Sequence, residues 1–240
     1  MSEFISDHII YKLGIETTKL LIQKQDDLKK INWTNGEANI DTEYSTLSCQ
    51  CCTMAWDTLK QNNPKYQGIN IKCTLPDINI VMTYPDGRTS KHKIELKSSK
   101  NKKMPGSTIK QLDINQTMIY CLRPSTNSEL YRLKCSQYHS SMGESDTDLF
   151  QDRTPRPLIN FEKMTEIDHT LPFIQKEKTS WIEHYANCGL NRINEHTSCA
   201  VSWQDDLIKI MKKKIIEEYI KNTSQEQFQI DKLSLQMADL

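Results

Sequence analysis

The chain has 240 residues, 31 Lys and Arg against 31 Asp and Glu, a formal charge of zero and a mean hydropathy of −0.65. That length holds one large domain or two small ones around a buried core, and although only 37% of residues are hydrophobic, the apolar clusters are too well formed for a disordered chain. No apolar run approaches the ~18 residues of a membrane helix, and Met1–His8 carries two acids and no basic residue, unlike a leader, so a cytoplasmic protein without a membrane partner is expected.

The seven glycines are isolated, so no GxGxxG, Walker loop or GxSxG elbow can be written, which excludes the common nucleotide-binding and α/β-hydrolase readings. Eight cysteines without a leader predict reduced thiols rather than a disulfide framework.

In chain order, Ile5, Ile9, Leu13, Thr17, Leu20, Leu21 and Leu28 recur at helical spacing and predict one long amphipathic helix or two. A polar connector over Asn32–Glu43 leads to a second helix running from the caps at Ser45–Ser48 to about Gln61, ended by Asn62-Asn63-Pro64. From Gly68 the period becomes two. Strands are expected at 69–74, 78–84, 92–97, 117–122 and 129–135, with a short helix within Met104–Asn115. Residues 136–160 are rich in Ser, Asp, Gly and Pro and read as a long loop or lid. Thr179–Cys188 and Trp203–Asn222 read as helices, the latter amphipathic. The expected fold is α+β or α/β, a central mixed, mainly antiparallel sheet flanked by helices. It forms a single domain over 1–240 with a core at about 45–135 and a helical C-terminal part at 161–240.

The segment with the most chemistry is the hairpin between Asp77 and Lys97. Tyr84-Pro85-Asp86-Gly87 fits a type I turn with Gly87 in the left-handed position, which sets Tyr84 opposite Arg88. Antiparallel partners then have numbers adding to 172, so Asp77 falls opposite Glu95, with Asn79, Lys93 and Lys97 on the same face. Ile78, Ile80, Met82, His92, Ile94 and Leu96 share the other. Two carboxylates at close range repel unless a cation lies between them, and hard oxygen ligands suit Mg²⁺ or Mn²⁺.

Pro76-Asp77 followed by Glu95-Leu96-Lys97 on the next strand resembles the PD-(D/E)xK motif of the restriction-endonuclease-like nuclease superfamily. The resemblance covers residues 69–122, about a fifth of the chain. It implies a restriction-endonuclease-like core, Asp77 and Glu95 as ligands of Mg²⁺ (or Mn²⁺) with the Leu96 backbone carbonyl, Lys97 as catalytic lysine, and hydrolysis of phosphodiester bonds. A further acid on a preceding helix, as some members have, leaves Glu16, Glu37 and Glu43 as candidates. Gln116-Thr117-Met118-Ile119-Tyr120 also resembles the Gln-x-x-x-Tyr element of some exonuclease relatives. A chain with this much material beyond the core is most like a Type II restriction endonuclease, which implies site-specific cleavage of double-stranded DNA by a homodimer.

Charge supports a nucleic-acid partner locally: Arg88–Lys110 carries a net +7 inside a neutral chain, with Lys93, Lys100, Lys102 and Lys103 as candidate DNA contacts. Arg153 and Arg156 are candidates for base readout. Among cysteines and histidines, Cys49-Gln50-Cys51-Cys52 falls on a helix, and His184, Cys188, His196 and Cys199 have ligand-like spacing. They are read as buried thiols and exposed histidines, and no structural Zn²⁺ is expected. The alternative to an Mg²⁺-dependent deoxyribonuclease is a non-catalytic nucleic-acid-binding or interaction protein built on a nuclease-like fold.

Overall fold

The computed structural model describes residues 5–33, 42–107, 113–126, 129–142, 147–148, 156–164, 166, 172–177, 183, 186–187, 189–191 and 202–238. Glu37, Lys110, Arg153 and the set His184, Cys188, His196 and Cys199 lie outside the described residues, as does most of the helix expected at Thr179–Cys188. The chain divides into two compact units, Met1–Cys188 and Gly189–Leu240.

The first unit opens with two helices, α1 (Asp7–Gln23) and α2 (Gln25–Lys30), followed by α3 (Thr42–Asn62). Asn63 ends the helical run by accepting a hydrogen bond from Lys65 N, which starts a short 3₁₀ turn led by Pro64. Five strands then build a mixed sheet: β1 (Asn70–Thr74), β2 (Ile78–Thr83), β3 (Thr89–Ser99), β5 (Thr117–Leu122) and β6 (Arg132–Gln137), hydrogen-bonded in that order. Every neighbouring pair is antiparallel except β3 with β5. The expected mixed, mainly antiparallel sheet with flanking helices is therefore present.

The β2–β3 register is the one that the turn residues predict. Ile78 faces Ile94 and Thr83 faces Thr89, partners whose numbers add to 172. Tyr84 N donates to Arg88 O at 2.9 Å, Gly87 N donates to Tyr84 O at 2.9 Å, and Gly87 has φ +82. A side chain other than glycine is disfavoured at that φ.

Period two divides the sheet cleanly. Ile78, Ile80, Met82, Ile94, Leu96, Ile119, Cys121, Leu133 and Cys135 form one core with Leu13, Leu21, Cys52 and Trp56 of α1 and α3. The opposite face of β5, Met118, Tyr120 and Leu122, forms a second core with Tyr138, Ile159, Phe161 and Met164. α1 reaches the sheet because Gly14 has no side chain: a Cβ there would stand 2.6 Å from Thr117 Cγ2 and 3.1 Å from Cys135 Sγ.

Two expectations change. The described part of Met104–Asn115 holds no helix; Lys103–Pro105 is instead strand β4, paired antiparallel with β8 (Arg156–Asn160), which also pairs with β7 (Thr147–Asp148). The span 136–160, expected as a loop or lid, thus carries β6's end, a 3₁₀ turn at Tyr138–Ser141 and two strands. Ile159 and Phe161 alternate into the second core, and that burial outweighs the Ser- and Pro-rich surroundings.

The second unit contains α4 (Ser202–Asn222) and α5 (Gln225–Ala238). They meet where the Tyr219 hydroxyl bonds Asp231 and its ring lies 6.2 Å from that of Phe228. No helix among the described residues is long and apolar enough to cross a membrane.

Gly14→Val inserts two methyl groups and a Cβ into this contact of α1 with the sheet, and overpacking of that kind costs about 1–3 kcal/mol. A lowered urea midpoint with an unchanged slope is expected, and an unchanged midpoint would contradict the close approach of α1.

Candidate active site

Asp77 lies one residue before β2, after a cis Leu75–Pro76 bond, with φ 58. It is therefore not part of the ladder, as the register alone suggests, but turned into the left-handed region, which Asp tolerates better than most residues. This turn aims its side chain at β3: Leu96 N donates to Asp77 Oδ1 at 3.0 Å. The second oxygen, Oδ2, lies 2.9 Å from Lys93 Nζ.

Glu95 and Lys97 are on β3 beside Met118 and Tyr120 of β5, on the sheet face away from α1 and α3. Glu95 is 5% exposed. A carboxylate at that depth needs cations and donors. Lys93 Nζ lies 2.6 Å from Oε2, Lys97 Nζ 2.6 Å from Oε1, and the Ser107 hydroxyl donates to Oε1 at 3.1 Å. Asp77 Oδ2 and Glu95 Oε2 share one ammonium nitrogen and are thus at most about 5.5 Å apart. Asp77, Glu95 and Lys97, all singled out from the sequence, come together here; Leu96, expected to contribute its carbonyl, meets Asp77 through its N–H.

Burial works to raise the Glu95 pKa, but the charges of Lys97 and Lys93 and their hydrogen bonds outweigh it and hold the pKa below the usual value. Burial likewise works to lower Lys93, and its bonds to Glu95 and Asp77 reverse that, leaving it raised.

Ser107 is not among the residues the sequence points to. Its place depends on the β4–β8 pairing, which continues as Gly106 N donating to Pro157 O at 2.8 Å. Tyr138, fully buried, accepts a hydrogen bond from Ser107 N through its hydroxyl. A Cβ on Gly106 would sit 1.8 Å from that hydroxyl, so glycine is required for the chain to pass and set Ser107 on Glu95. The sequence signal is the short run Leu158-Ile159-Asn160-Phe161, which marks a strand partner for Lys103–Pro105.

The other candidates divide. Lys93 is engaged by both carboxylates rather than offered to solvent alone, and Lys102 pairs with Glu162 at 2.8 Å on the surface, where such a pair contributes little. Lys100 and Lys103 are exposed. Glu16 pairs with Lys19, and Glu43 accepts Asn32 N at 2.8 Å; neither is brought to Asp77 and Glu95 by a described contact. Tyr120 donates to Asn101 O at 2.6 Å and packs edge-on against Phe161, which makes it part of the second core. The six described cysteines are free thiols.

Among the described residues no cluster of three or more His, Cys, Asp or Glu side chains could hold a metal. The donor set here is two carboxylates on one cationic position. Mg²⁺ is commonly held by one or two carboxylates with water completing its shell, at oxygen distances of about 2.1 Å. An ion at that distance from both holds the two oxygens no more than about 4.2 Å apart, so this pair fits it once the carboxylates close to within that separation. Comparison with protein-family models, with curated proteins and with solved structures gave no match for this chain.

The pH dependence of stability follows from the two shifts. A depressed Glu95 contributes fully above the ordinary Glu value near 4.3, and its contribution is lost as pH falls through the lower folded value. A raised Lys93 contributes fully below the ordinary Lys value near 10.4 and is lost as pH rises through the folded value. The gap in urea midpoint between wild type and Glu95→Gln is expected to narrow on acidification below about pH 4. A gap constant from pH 7 to pH 2 would contradict the pairing.

Proposed function

We propose that this chain is a metal-dependent nuclease that hydrolyses phosphodiester bonds of double-stranded DNA, with a restriction-endonuclease-like catalytic core. The observation that supports it best is the convergence of Asp77 Oδ2 and Glu95 Oε2 on one cationic position, with Lys97 on the remaining Glu95 oxygen. The positive φ of Asp77 adds to this, because a non-glycine residue is kept in that region where neighbouring contacts over-determine it, often at functional sites.

On this reading Asp77, Glu95 and the Leu96 carbonyl hold Mg²⁺ or Mn²⁺. When bound, such an ion lowers the pKa of water and stabilises charge on a phosphoryl group. Leu96 N–H and Ser107 fix the two carboxylates by hydrogen bonds. Lys97, 19% exposed at its side chain and anchored on Glu95, is positioned to neutralise charge developing on the phosphate. Lys100 and Lys103, exposed just beyond β3, would contact the backbone of the duplex and bring the salt dependence usual for phosphate contacts. Site-specific, Type II-like cleavage by a homodimer is the extension of this reading that the resemblance of Pro76-Asp77 and Glu95-Leu96-Lys97 suggests.

One observation favours a second reading. Lys93 already supplies a cation to both carboxylates, which a non-catalytic nucleic-acid-binding protein on the same fold would need as well. Purified protein incubated with plasmid and phage DNA separates the two. The nuclease reading expects fragments with Mg²⁺, none with EDTA, and loss of cleavage in Asp77→Asn and Glu95→Gln, with Lys97→Met reduced by about 10²–10⁴. Salt-sensitive DNA retention in gel shifts without any cleavage would overturn it.

A further inference from the structure

We infer that Lys93 is a resident cation that holds the metal position in the free protein and moves to a substrate phosphate when a divalent ion binds, so that metal and nucleic acid tighten each other's binding. This rests on the nuclease reading and adds a linkage to it.

Exclusion comes first. An ammonium nitrogen 2.9 Å from Asp77 Oδ2 and 2.6 Å from Glu95 Oε2 occupies the volume that an ion at about 2.1 Å from both oxygens requires. The two cannot be present together.

Displacement is open to Lys93 and closed to its neighbour. The Lys93 side chain is 42% exposed and ends a flexible four-carbon stem, whereas Lys97 is 19% exposed and lies beside Tyr120. Lys93 also stands one residue before the start of the β3–β5 pairing, which begins at Ile94 opposite Thr117. There a cavity of about 400 Å³ opens, lined by Asp7, Asn79, Lys91, Lys93, Asp113 and Gln116 among others. The ammonium has room to leave without disturbing a strand.

Charge then links the two ligands. With Lys93 in place, two acids and two lysines sum to a formal zero. With a divalent ion in its stead and Lys93 displaced beside it, the same groups carry +2, and an anionic phosphodiester is attracted to the ion and to the freed lysine together. An anion that favours the exchanged state must tighten the metal, and the metal must tighten the anion by the same factor. Lys97 keeps Glu95 paired in both states.

The test is calorimetric titration of Mn²⁺ into wild type, Lys93→Met and Lys93→Arg, each with and without a phosphorothioate-substituted DNA duplex that resists cleavage. Lys93→Met is expected to bind Mn²⁺ about tenfold tighter and to show a smaller gain from the duplex than wild type, keeping only the direct attraction of the ion for the phosphate. Lys93→Arg, whose planar fork grips carboxylates more firmly, is expected to bind Mn²⁺ about tenfold more weakly. It keeps both acids paired, so it carries the test if Lys93→Met does not fold. Equal Mn²⁺ affinities in the folded variants and wild type would overturn the inference while leaving the metal reading in place. No Mn²⁺ binding by wild type or by folded Lys93→Met would overturn both.

Discussion

The buried carboxylate of Glu95 is the constraint around which this face of the sheet is organised. At 5% exposure it cannot stand without compensation, and three groups supply it: Lys93 and Lys97 from its own strand at i−2 and i+2, the first of them shared with Asp77, and Ser107 from the segment after β4. Period two in β3 is what allows both lysines to reach it. Removing one member of such a buried set leaves an uncompensated charge, so each partner depends on the others.

Much of the rest of the first unit exists to keep that carboxylate where it is. The turn at Tyr84–Arg88 sets the β2–β3 register and thereby brings Asp77 to the Leu96 backbone. The opposite face of the same strands, Ile94 and Leu96, is pinned by α1 and α3, and Gly14 lets α1 lie close over β5 and β6. On the site face the second core, with Tyr138, Phe161 and Ile159, holds β8 and through it β4, Gly106 and Ser107. Helix packing on one side and a small sheet on the other therefore act on one strand.

The hairpin is legible in the sequence because its information is local. Pro85 and Gly87 encode a turn, the turn encodes a register, and alternation assigns the strand side chains to faces, so the nearness of Asp77 to Glu95 is legible from residue types and spacing, though not the turned backbone by which Asp77 reaches β3. What local rules do not carry is contact made across layers. Apolar spacing in α1 marks Leu13 and Leu21 as core but says nothing of how near Gly14 comes to Thr117. The strands β4 and β8 are short and sit among Lys, Ser and Pro, so their pairing comes from tertiary burial of Met104, Ile159 and Phe161 rather than from propensity. The same limit applies to Lys93: alternation puts it on the site face, yet its place between two carboxylates depends on the turned backbone of Asp77. Glu16 and Glu43 have suitable positions in the sequence, and the structure gives them other partners, Lys19 and the Asn32 N–H.

Asp77 and Glu95 converge on a single cation position, which Lys93 holds and which, in the function proposed above, a divalent metal takes. Crystals of the wild-type protein soaked with Mn²⁺ and measured at the manganese absorption edge address this directly. One anomalous peak is predicted at about 2.2 Å from an oxygen of each carboxylate, with Lys93 Nζ withdrawn from both. Lys93 still seated between the two carboxylates, with no anomalous density beside them at saturating Mn²⁺, would contradict it.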